Sequence, residues 1–417
     1  MTTSEPRAAA SPLFRAGYWL VLLSVLAIPL FSEAHLAFFG TSVVNLIEIP
    51  LVLTFFGSIC THPFIKKAFA PLCVLVSVEA VAYALAGTSG PWREYSDTAM
   101  VLAYLGRVIF VASFVWFVRT SSQLDRIMTA VIVGSVIVAV VSVLRWLHSF
   151  PFESIYVSLE YGVGERNMGT FIISGSYALW IGLGVAAMVT RIRDRRRGLV
   201  ERVIYIGSIV ICGFSAAVVA RSRNAIMFLF IAAMASIYFP QSKRWRKRHA
   251  LASLSVLIIS AIVGSWVYEG LVSGAMILTA RVTLIKASTE FILDYPIFGV
   301  GLGVFRDFLS PRLQPVHNAF LDLLVEAGIV GMLPFAALLL YVWVRLMRAR
   351  SQLRRYEFVV PAFIATVASV QFFPAQLSYP LWLIIGIGLS VTVFPRWEAM
   401  TRGQNGAEGY RCHAVFE

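Results

Sequence analysis

The sequence predicts an all-α polytopic membrane protein of about twelve transmembrane helices with a small loop-and-helix cap on the outer side. Three observations predict it. Of 417 residues, 59% are hydrophobic and only 14% charged, where a soluble domain carries about 25% charged residues. The apolar residues fall in blocks of roughly 18–24, the length that crosses a bilayer core as helix. The basic residues gather in alternate connections between those blocks, as the positive-inside rule requires.

The spans are predicted near 15–32, 42–60, 68–87, 98–118, 124–147, 167–190, 200–220, 223–240, 249–268, 325–348, 357–375 and 378–395. No small-x-small cleavage site follows the first block, so Gly17 to Phe31 reads as a retained helix. Lys66 and Lys67, Arg119 and Arg126, and the basic runs 191–202, 243–248 and 345–355 share one side. That side is expected to be cytoplasmic, and Arg near both ends puts both termini there. The net charge of +13 is therefore a topology signal. Nucleic-acid binding is a poor reading of it, because basic runs such as KRWRKR sit beside membrane helices. Cys60, Cys73, Cys212 and Cys412 have no partner on the outer face and no metal-ligand spacing, so neither a disulfide nor a cysteine metal site is expected.

Two outer connections are long. One, 148–166, carries Glu153, Glu160 and Glu165. The larger runs from about 269 to 317. Within it the spacing predicts a helix over 275–293 lying on the interface. Ile277, Leu278, Leu284, Ile285, Ile292 and Leu293 would form its apolar face, leaving Arg281, Ser288 and Glu290 on a wetter one. Pro296 ends that helix, and Gly299, Gly301 and Gly303 make a flexible turn. It is no dinucleotide fingerprint, since the spacing differs and no strand precedes it. The domain reading is one transmembrane unit over 1–402 with an outer loop at about 269–324, and a short cytoplasmic tail at 403–417.

A basic residue on the outer side works against topology and needs another reason to be there. Arg221 and Arg223, on a very short outer turn, and Arg281, on the loop helix, read either as anion ligands or as interfacial anchors. Arg93, Arg166, Lys286, Arg306 and Arg312 read as solvated loop charges. His317 precedes Asn318 at an expected helix start, where Asn satisfies free backbone N–H groups. The positive helix end favours a neutral imidazole there, and a neutral imidazole accepts a proton. Inside the bundle, Arg107 and Glu79 lie at comparable depth and are expected to pair. Glu48 is a candidate to line the outer half of a cavity, with no role assigned by the sequence.

The segment 281–331 resembles the signature region of the O-antigen ligase and polymerase superfamily of bacterial envelope glycosyltransferases. The likeness rests on Arg281, on DYPIFGVGLGVF at 294–305 and on HNAFLDLLVEAGIVG at 317–331. A second match is Ser222-Arg223 at the outer end of a span. Asn224 and Ile285 depart from the pattern, which has a small and an aromatic residue there. The resemblance implies transfer of a glycan from an undecaprenyl-diphosphate carrier to an acceptor at the outer (periplasmic) face of the bacterial inner membrane. It also implies that Arg223, Arg281 and His317 are the functional positions.

The chemistry is self-consistent. A lipid diphosphate is already a good leaving group, so the transition state needs cation density on it; the planar donor fork of Arg supplies this. Arg223 and Arg281, assisted by Arg221, would hold the diphosphate, and His317 would act as general base on the acceptor hydroxyl. Direct attack would invert the anomeric centre. No Asp-x-Asp pair lies on the outer loops, so no metal and no cofactor is implied. The first reading is an O-antigen ligase joining the glycan to lipid A–core oligosaccharide in lipopolysaccharide biosynthesis. An O-antigen polymerase or a protein O-oligosaccharyltransferase would use the same donor. A secondary transporter is the reading from another class, and it would more naturally gather ionisable residues near the midplane.

Overall fold

The structure is a computed structural model. It describes residues 12–31, 35–36, 41–61, 74, 78, 81, 85, 98–147, 174–193, 198–219, 226, 228–229, 275–301, 304, 318–349, 356, 358–369 and 378–405. Among these, ten helices dominate, and the only strands are two residues each: β1, His35–Leu36, pairs antiparallel with β2, Thr41–Ser42.

Helix α1 spans Pro12–Phe31 and α2 spans Val43–Thr61. Pro12 stands at the first helical position, where its missing N–H would have had no partner in any case. Helices α3, Thr98–Phe117, and α4, Ser121–Trp146, are separated by three residues whose chemistry sets the boundary. Thr120 Oγ1 accepts from the Gln123 amide at 3.2 Å, and Gln123 Oε1 accepts from the Thr120 amide at 3.1 Å. This reciprocal capping box starts α4 where the sequence Thr-x-x-Gln places it. The Arg119 guanidinium just before it lies over the Phe14 ring of α1 at 3.7 Å. Helix α5 is Ser174–Arg193, and α6, Leu199–Phe214, continues as a π-helix over Ser215–Val219. Then come α7, Ala275–Asp294; α8, Ala319–Ala349; α9, Val359–Ser369; and α10, Tyr379–Asn405.

Among the described residues, four helical stretches are long and apolar enough to cross a membrane: Pro12–Pro29, Ser121–Leu144, Leu199–Val219 and Ala319–Ala349. The apolar parts of α2, α3, α5, α9 and α10 are shorter. Each of these helices coincides with a predicted span. The predicted span at 249–268 and most of those at 223–240 and 68–87 lie outside the described residues.

The core joins α1 to α2, α3 and α4, α3 to α10, and α5 to α4, α6, α9 and α10. Where helices meet closely, small residues make room, as in other membrane bundles. A Cβ on Gly184 of α5 would collide with Ser135 Oγ of α4, which instead bonds the carbonyls of Val131 at 2.8 Å and Trp180 at 3.1 Å.

Arg107 of α3 finds its described partner on α2. Its Nη1 lies 3.2 Å from Glu48 Oε1 and 3.4 Å from Oε2, with both side chains buried. The guanidinium carbon sits 3.3 Å from the ring centroid of Tyr379 on α10. Glu79, the partner expected from depth alone, lies outside the described residues. The pair answers the desolvation cost of a buried cation with a carboxylate on one side and an aromatic face on the other.

Candidate active site

Helix α7 stops at Asp294, as the following Pro296 requires, because the residue before a proline is pushed out of helical geometry. Its packing reverses part of the expected face assignment. Ser288 is fully buried, whereas Ile285 and Leu293 are 51% and 74% exposed. Ile285, Thr289 and Leu293 thus make an outward stripe, flanked by the exposed Lys286, Glu290 and Asp294. Ser288, Phe291, Ile292 and Tyr295 turn inward, and the last three pack against a small core of Val300, Val304 and Val325. Arg281 lies in the second turn of α7, seven residues before Ser288.

The chain after α7 docks into a break in α8. Gly328 interrupts that helix with φ 62° and ψ −165°, a region open essentially to glycine. In an unbroken helix the amides of Ile329 and Val330 would bond the carbonyls of Val325 and Glu326. Here all four groups bond the turn instead. Ile329 N donates to Pro296 O at 2.9 Å and Val330 N to Ile297 O at 3.2 Å. Val325 O accepts from Val300 N at 2.9 Å, and Glu326 O from Gly301 N at 3.0 Å. The turn repairs the hydrogen bonds the break would otherwise leave unmade. Gly299 and Gly301 take φ of 67° and 113° to reach it, so the turn read as flexible is a fixed seam.

Asn318 begins α8 as expected: its Oδ1 accepts from the amides of Phe320 and Leu321, both at 3.0 Å. Asn318 is thus the cap, one residue before the first helical residue Ala319. Asp322 and Glu326 follow on one face of α8, both buried. Sequence reasoning did not single them out; an acid in a first turn reads simply as a partner for the helix dipole. Also unforeseen was the π-helical end of α6, where Tyr177 of α5 meets Ser215 hydroxyl to hydroxyl at 2.6 Å.

Of the candidate site residues, the backbone of Arg281 is described within α7. Arg221, Arg223 and His317 lie outside the described residues, as do Arg306 and Arg312. The described elements on either side of them are the π-helical end of α6, which finishes two residues before Arg221, and the cap at Asn318, directly after His317.

Residues 208–336 match the family model described as O-antigen ligase. The match runs from the last turns of α6 through α7, the seam and the first half of α8. It therefore takes in Arg221, Arg223, Arg281 and His317 together. No curated protein matches the chain. Over these residues the chain is similar to the O-antigen ligase family of membrane glycosyltransferases, and the described helices include stretches long and apolar enough to cross a membrane.

Proposed function

We propose that this protein is an O-antigen ligase, transferring a polysaccharide from undecaprenyl diphosphate to lipid A–core oligosaccharide at the periplasmic face of the inner membrane. The observation that carries the reading is the O-antigen ligase match over 208–336, because that one segment holds all four candidate residues. The seam supports it. Main-chain bonds hold the strand leaving α7 against α8, between Arg281 and His317 in the chain. This is the kind of rigid mounting that a transfer site needs, since small misplacements are costly.

In this reading Arg223 and Arg281, assisted by Arg221, grip the diphosphate oxygens and stabilise the charge that grows as the anomeric C–O bond breaks. His317 takes the proton from the acceptor hydroxyl as its oxygen bonds the anomeric carbon. Undecaprenyl diphosphate leaves, and the anomeric centre inverts. The proposed topology keeps about twelve spans, cytoplasmic termini and a periplasmic loop at about 269–324. Arginine supplies the cation density, so the scheme needs neither metal nor cofactor.

The test is reconstitution. Purified protein in detergent is mixed with undecaprenyl-diphosphate glycan and lipid A–core, without nucleotide or added metal. Conjugate formation supports the ligase. Growth of the glycan on its carrier alone identifies a polymerase, and no transfer of either kind overturns the reading.

A further inference from the structure

Helix α10 is buried from Tyr379 to Thr392, and a polar cluster holds its first turn. Arg107 of α3, paired with Glu48 of α2, stacks on the Tyr379 ring. The Tyr379 hydroxyl donates to the Glu48 carboxylate. That carboxylate lies against bare backbone, since a Cβ on Gly106 would stand 2.8 Å from Glu48 Oε2. Beside Tyr379, Ser378 meets Ser176 of α5 hydroxyl to hydroxyl at 3.1 Å, and both are buried. Side chains from α2, α3 and α5 thus converge on one turn of α10.

The next turn of α10 reaches α8. The rings of Trp382 and Phe335 meet edge to face at 6.1 Å, and Phe335 touches Phe320 at 5.6 Å. Phe320 and Phe335 would stand about 22 Å apart along a straight helix, so α8 folds back on itself at Gly328. The arm that starts at the Asn318 cap leans on Phe335, and Phe335 leans on α10. In a bilayer no hydrophobic force drives helices together, and aliphatic contacts tolerate repacking. A paired charge stacked on a ring does not, because leaving its partner strands it in apolar surroundings. We propose that the Glu48–Arg107–Tyr379 cluster is a register pin that fixes the depth of α10 and thereby the place of the α8 arm. All three residues lie outside 208–336, and the arm lies inside it. They are positioning residues for the matched segment; their effect on transfer rests on the function proposed above.

The experiment uses the full chain in nanodiscs, its four cysteines replaced by alanine. Spin labels sit at Leu53→Cys and Ile329→Cys, both exposed positions, and the unfolding temperature is measured alongside. Tyr379→Leu leaves the ion pair in place but frees α10. The label distance should then shift by about 1.5–5.4 Å, a slip of one residue to one turn. Glu48→Gln combined with Arg107→Met should regain thermal stability yet show the same shift. Tyr379→Phe, which keeps the ring, should shift less. A merely structural cluster would lower the unfolding temperature and leave the distance alone; a wild-type distance in Tyr379→Leu overturns the pin. Transfer should fall at least about tenfold in the shifted variants, the scale of a misplaced site. Wild-type transfer in a shifted variant overturns the positioning role. Arg223→Ala separates the two levels: if it transfers as wild type, the proposed function falls, and the label distances still decide the pin.

Discussion

Gly328 has no room for a side chain because the backbone of Ile297 and Gly299 stands against it, and Gly299 is closed in the same way by Val325 and Glu326. A Cβ on Gly328 would lie 2.6 Å from the Gly299 amide nitrogen, and a Cβ on Gly299 would lie 2.5 Å from the Val325 carbonyl oxygen. The nearest atoms are backbone on both sides, so no side chain can move aside to relieve either clash. Each residue also holds a positive φ, which costs a non-glycine residue of order 1–3 kcal/mol. Gly328→Ala is expected to lower stability by at least that amount, read as a fall of several degrees in unfolding temperature. Gly299→Ala should do the same, and the double variant should fall well short of the sum, because one opened seam is the common result.

Asn318→Ala removes the cap of α8. The expected loss is about 1 kcal/mol, and Asn318→Asp or Asn318→Ser should keep most of it. Since His317 adjoins the cap, transfer by Asn318→Ala should fall further than its thermal stability does. A parallel fall in both would confine the cap to a structural role.

Arg107 and Glu48 form a buried pair, and breaking such a pair on one side leaves an uncompensated charge. Arg107→Met alone should destabilise by about 3–5 kcal/mol, whereas Glu48→Gln combined with Arg107→Met should recover much of that. Half-life in detergent at a fixed temperature measures it. Equal losses in the single and double variants would show that the pair is not coupled.

Arg223→Ala and Arg281→Ala should abolish transfer while leaving expression intact. Lysine at either position should restore only part, since it keeps the charge but loses the bidentate fork. Full activity in both lysine variants would mean that charge alone suffices.

His317→Gln keeps hydrogen-bonding capacity but removes the base. A loss on the order of 10²-fold in turnover supports the general-base role; retention of most activity sinks it.

The helices of this chain were legible in its sequence because bilayer thickness leaves a strong mark: α1, α4 and α6 fall within a few residues of their predicted spans. The helix Ala275–Asp294 was legible too, ending where Pro296 demands. Its orientation was not. Ser288 faces inward and Ile285 outward, and the composition of a helix with apolar residues on several sides does not tell which side packs. The contact of Arg107 with Glu48 was not legible, because depth along a span says nothing of which helix stands opposite; Glu79 lies outside the described residues. The seam was hidden because Gly328 sits inside an otherwise continuous apolar helical pattern. The exchange of hydrogen bonds at that glycine depends on residues some thirty positions away.

That exchange also governs how this part of the molecule opens. The amides of Val300, Gly301, Ile329 and Val330 are protected only while the turn and the broken helix are docked on each other. Neither partner satisfies them alone, so the four should exchange with solvent as one group, at a common rate. The first turns of α8 and the strand after α7 thus constitute a single cooperative unit, assembled or lost together.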